Sequence, residues 1–152
     1  MFRLNKKSYI FIIFILLITY VYIGIINKTY NIDDIIGIDK GDIINITLHR
    51  ESEKIDILDK KDISNIINYF KNYKYKKVWG SSYSENGHEL PKNTFQLSIK
   101  TDNYFFRIGM YQYTAIIVNK FNRIEWKLED TTIYKLKDNI LNFEFWENFF
   151  PN

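Results

Sequence analysis

The sequence predicts an α+β fold, an N-terminal transmembrane helix followed by an antiparallel β-sheet packed against one or two helices. Three observations carry that prediction. An eighteen-residue stretch from Tyr9 to Ile26 contains no charge. Several later segments alternate apolar and polar residues with the period of two that a half-buried strand requires. One segment places Ile63, Ile66, Ile67 and Phe70 at helical spacing, so that all four share a face.

The first run, YIFIIFILLITYVYIGII, spans roughly 27 Å as a helix, close to the ~30 Å of a bilayer core. Only a helix pairs every backbone group within a single lipid-exposed span. Tyr9, Tyr20, Tyr22 and Tyr30 lie towards its ends, where amphipathic rings suit the headgroup layer. A cleaved secretory signal needs small residues just before its cut, and before Gly24 stand Tyr22 and Ile23, so retention as an anchor is expected. Arg3, Lys6 and Lys7 precede the run, which by the positive-inside bias sets the N-terminus in the cytosol and the rest of the chain outside. The expected organisation is a basic flank (1–8), a membrane span (9–26), a linker, free or docked (27–41), and one extracytoplasmic α+β domain (42–152) in the cell membrane.

Within that domain, Ile44, Ile46 and Leu48 alternate with Asn45 and Thr47, and Ile55 and Ile57 repeat the pattern after a polar turn at Arg50 to Glu53, which reads as a hairpin. A helix follows, with Asp59 or Asp62 to cap it and Lys71 and Lys74 suited to its negative end. A polar loop covers Gly80 to Asn93. Thr94 to Thr101 then reads as a strand burying Phe95, Leu97 and Ile99, and Tyr104 to Tyr111 as its partner, burying Phe106, Ile108 and Met110. A second hairpin is expected from Thr114 to Val118 and Ile124 to Leu128, turning over Asn119 to Arg123 with Trp126 on the inner face. The end reads as a strand over Thr131 to Leu136 and a helix from Asp138 carrying Ile140, Leu141 and Phe145; one helix from near Asp130 is the alternative.

The segments KIDILDKKDISNIINYF (Lys54 to Phe70) and IEWKL (Ile124 to Leu128) order these elements in a way that resembles small single-pass or secreted bacterial domains of unknown function, which run strand, strand, helix and then a meander. That resemblance implies the fold and brings no catalytic residues.

Of 21 basic residues, the three before the apolar run account for the whole excess over 18 acidic ones, so the chain beyond it is formally neutral. The basic footprint of a nucleic-acid binder is missing there. The chain has no Cys, hence no disulfide and no thiolate nucleophile or ligand. No HExxH, EF-hand or GxSxG pattern occurs. The sequence nominates no catalytic residue, no metal site and no cofactor. Lys71, Lys74, Lys76 and Lys77, interleaved with aromatics, form a basic surface suited to headgroups or wall polyanions, or else to guarding an edge strand. Trp79, Tyr83 and His88 flank or occupy the long loop, and Arg107, Tyr111 and Tyr113 are expected to share its surface; Tyr, Trp and Arg most often carry interface energy. The sequence therefore points to a membrane-anchored binding or accessory module, of immunity type among others, with a protein or cell-envelope partner. A small envelope enzyme using carboxylates and His88 is the competing reading.

Overall fold

The computed structural model describes residues 6–37, 42–79, 95–111, 113–137 and 140–150. The chain begins with α1 (Lys6–Asn27), whose apolar stretch is long enough to cross a membrane and is not buried against the rest of the chain. There follow β1 (Thr29–Tyr30), α2 (Ile32–Ile36), β2 (Asn45–Arg50), β3 (Glu53–Ile57), α3 (Lys60–Lys71), β4 (Tyr75–Lys77), β5 (Phe95–Lys100), β6 (Tyr104–Tyr111), β7 (Ala115–Asn122), β8 (Lys127–Leu136) and α4 (Glu144–Glu147). The strands form one eight-stranded antiparallel sheet in the order β1-β4-β8-β7-β6-β5-β2-β3, and the helices of the domain cover one face of it. This is the α+β arrangement that the alternating segments predict.

The core follows from strand periodicity and register. Ile46 and Leu48 of β2 stand opposite Ile99 and Leu97 of β5, which in turn oppose Phe106 and Ile108 of β6. All six are fully buried. Onto them α3 lays Ile63, Ile66, Ile67 and Phe70, the face its spacing dictates. The Asp59 carboxylate accepts from the backbone N–H groups of Lys61 and Asp62, at 2.9 and 3.1 Å, which satisfies two donors left open by the first turn.

In three parts of the chain the structure settles an open reading or departs from the sequence expectation. The 27–41 stretch is no free linker over its described residues: β1 adds a strand beside β4, and Ile32 and Ile36 of α2 are buried in the core. Gly37, at φ 60°, closes α2 in the left-handed conformation that a glycine adopts without Cβ strain. The lysine cluster explains the docking. Lys71 pairs with Asp33, Lys74 donates to Asn31 Oδ1, and Lys76 reaches Asn27 Oδ1 at 3.4 Å. β4 is thus an interior strand, paired on both sides, and its lysines guard no edge.

The second difference concerns Trp126, which lies in the turn before β8, 71% exposed, and not on the inner face. β7 runs on to Asn122, so the turn moves to Arg123–Trp126, and a register shift at Lys120/Phe121 places Leu128 opposite Phe121 on the open face. At the C-terminal end, the strand over Thr131 to Leu136 is present within β8, but the helix is confined to Glu144–Glu147. Leu141 is held instead by its N–H donating to the Tyr113 carbonyl at 2.7 Å. Trp146, fully buried, packs among Tyr69, Phe70 and Phe145 with centroid distances of 4.9 to 5.4 Å. Burial raises the Tyr69 and Tyr75 phenols well above their ordinary value, so both stay neutral donors, Tyr69 to the Asn142 carbonyl and Tyr75 to that of Phe70.

A candidate binding cleft at the far end of the sheet

The strands share two ends. One carries the β7–β8 turn and the far one the β2–β3 and β6–β7 turns; β1, on an edge of the sheet, is level with the latter, since Thr29 stands across from Lys76, Lys135 and Ala115. At that far end a cleft of about 510 Å³ opens between the two turns and the C-terminal segment. Arg50, Glu51, Ser52 and Glu53 form one wall, from the two-residue turn and the residues that close it. Phe95, Tyr113, Phe143 and Glu147 line the remainder.

Local sequence sets this geometry. Glu51 holds φ 53°, the positive value that tight hairpin turns need at a central position, and Tyr113 holds φ 61° in the β6–β7 turn. Positive φ costs a residue with a Cβ about 1–2 kcal/mol, yet neither turn uses glycine at these positions. The Tyr113 ring packs on Phe143 at 4.2 Å, and Phe143 stands edge-on to Phe95 at 5.2 Å, so the aromatic wall is continuous. The Arg50 guanidinium donates from Nε to Glu53 at 2.8 Å and lies 4.5 Å from the Phe150 ring centre. With Arg50 and Glu53 engaged with each other, Glu51 and Glu147 leave the described lining residues net negative.

The residues singled out from sequence are dispersed. Tyr113 lines the cleft. Arg107 is exposed midway along β6 on the open face, 6.0 Å from the Phe121 ring. Trp79 follows β4 alongside the middle of β8, half-exposed, with Lys77 Nζ at 4.9 Å from its ring. Tyr111 ends β6 opposite Ala115. Tyr83 and His88 lie outside the described residues. Sequence reading missed Glu51, Phe95, Phe143 and Glu147 as cleft residues; the polar Arg50–Glu53 turn was visible, but nothing local tied it to Phe143 or Glu147, 90 residues or more away. Among the described residues no group of three or more His, Cys, Asp or Glu side chains is arranged to hold a metal ion.

No protein-family model, no curated protein and no solved structure matches the chain.

Proposed function

We propose that the protein is a membrane-anchored binding or accessory module that displays its α+β domain on the outer side of the membrane and engages a protein or cell-envelope partner through the far-end cleft. The observation that carries this reading is the cleft itself: an aromatic wall beside two carboxylates that no described ion pair occupies, at the end of the sheet opposite the β7–β8 turn. Aromatic surface supplies desolvated contact area, and uncompensated carboxylates select a cationic group, so a lysine, an arginine or a free amine on the partner is the matching chemistry. The anchor reading draws on α1, the outward orientation on Arg3, Lys6 and Lys7.

One variant tests orientation and another tests the site. Ser52→Cys introduces a lone thiol at an exposed cleft position in a chain without cysteine. It is expected to react with a membrane-impermeant thiol reagent in intact cells; labelling only after lysis would reverse the orientation. A photo-crosslinking residue at Tyr113 is expected to capture one discrete species, and Glu51→Gln with Glu147→Gln to abolish the capture. Capture unaffected by removing both carboxylates would overturn the cleft as the site.

A further inference from the structure

We propose that the outer edge of β3 pairs with the same edge of a second copy of the chain, antiparallel, about a two-fold axis at Ile55. The inference concerns the side of the sheet and does not draw on the cleft.

The direction in which the main chain of β3 faces defines this edge. β3 (Glu53–Ile57) is the last strand in the sheet order, and among the described residues no strand adds to its outer side. The Thr101 N–H donates to the Tyr104 carbonyl at 2.9 Å, so the β5–β6 turn closes on a hydrogen-bonded pair. Such pairs alternate along an antiparallel ladder. Followed through the register, the alternation turns the main chain of Asn45, Thr47 and His49 towards β5, and that of Ile46, Leu48 and Arg50 towards β3. Ile57, Ile55 and Glu53 answer the second set, which leaves the N–H and carbonyl groups of Lys54 and Asp56 directed outward. The turn at Glu51 and Ser52 agrees, because a two-residue turn closes on a hydrogen-bonded pair, here Arg50 and Glu53.

Charge then selects the occupant and its register. Outward residues bond only to outward residues, so a second β3 meets the first with Lys54 opposite Lys54, with Asp56 opposite Asp56, or with Lys54 opposite Asp56 on both sides of the axis. The first two set like charges directly across from each other, which is destabilising. The third sets opposite charges at both positions and adds main-chain hydrogen bonds of the kind that strand addition supplies. Both side chains are available for it: they pair along their own strand at 3.2 Å and remain 56% and 48% exposed.

The same register fits the other face. It sets Ile55 against Ile55 of the second copy, and Ile55 is partly buried against the core, at the edge of the apolar row that runs through Leu48 and Leu97. The contact therefore covers an edge of the core. Glu53, which faces Ile57 of the second copy, is already held by Arg50 of its own chain. A two-fold contact consumes the β3 edge of both copies, so pairing closes at a dimer and does not propagate. Five residues make a short interface, and confinement of anchored chains to one membrane plane raises the concentration at which they meet.

The test uses full-length chains in membranes, one carrying Lys54→Cys and the other Asp56→Cys under a different tag. Both positions are exposed, and a mixed pair keeps one opposite-charge contact. Cysteines across a hydrogen-bonded antiparallel pair lie about 5.5 Å apart at Cα, within disulfide reach. Under mild oxidation the mixed disulfide is expected to exceed, several-fold, the yield from either variant alone. Equal yields in all three cases, or no disulfide from folded chains, overturns the pairing. Energy transfer between fluorescently tagged copies gives a second measurement without cysteine. Lys54→Glu is expected to abolish the transfer, and Lys54→Glu with Asp56→Lys to restore it. Transfer unaffected by Lys54→Glu would assign self-association to another surface, α1 included, and overturns the β3 edge.

Discussion

Two neighbouring rows of residues cross the same strands, one on each face, and their contrast shows how little the backbone ladder distinguishes core from surface. On the helix-covered face Ile57, Ile46, Ile99 and Phe106 stand in line across β3, β2, β5 and β6, all buried. One residue along, on the opposite face, the row reads Asp56, Thr47, Ser98, Arg107, Asn119 and Thr131, polar throughout, with Ser98 alone of the six buried. The first row is held by removal of apolar area from water, at roughly 25 cal/mol per Å². The second is held by side-chain hydrogen bonds: Thr47 donates to Asp56 at 2.6 Å and Thr131 to Asn119 at 2.8 Å, each worth about 1 kcal/mol net. The covered face should therefore dominate stability, and the open face should be free to vary or to bind.

The largest test of that contrast is Trp146→Ala, which empties the most voluminous fully buried position and should cost about 3–5 kcal/mol in denaturant unfolding. A loss no greater than that of an open-face variant would mean that α4 does not seal the core. On the open face, Thr131→Ala should cost about 1 kcal/mol or less by the same measurement. Between the faces lies the turn strain: Glu51→Gly should raise stability by up to about 1 kcal/mol, because glycine adopts positive φ without the Cβ clash. A loss there would show that the Glu51 carboxylate holds the fold and not a ligand.

The smallest effect is one of protonation. His49, beside Lys54 and Gln96 on the open face, is held below the ordinary histidine value first by partial burial and then by the positive charges of Lys54 and Arg107. A depressed folded value means that the unfolded chain binds the proton more readily. This contribution to stability is therefore complete above the ordinary value of about 6.5 and is lost as pH falls from there through the folded value. Arg107→Gln should move the His49 titration, followed by proton NMR, upward. An unchanged midpoint would mean that burial and Lys54 set it without Arg107.

How much of this was legible beforehand varies with how local the cause is. The face of α3, its Asp59 cap and the buried residues of β5 and β6 were readable, because periodicity and capping depend on residues within a few positions of each other. The β7–β8 turn was misplaced, since Ile124, Trp126 and Leu128 alternate as well as any buried strand does, and only the pairing of β7 out to Asn122 exposes them. The cleft was readable only in fragments, as a polar turn and a tyrosine; its other walls come from the C-terminal segment folding back over the far end.

By itself, then, the sequence determined the apolar helix, the α+β class, the alternating strands and the faces they bury, all consequences of spacing along one chain. The tertiary structure alone decided that the stretch after α1 docks as β1 and α2, that the basic cluster holds it there, and that Ile124, Trp126 and Leu128 stay exposed about the β7–β8 turn while an acidic cleft forms at the other end. Those outcomes depend on which strands become neighbours, and strand pairing joins residues whose separation in sequence leaves no local trace.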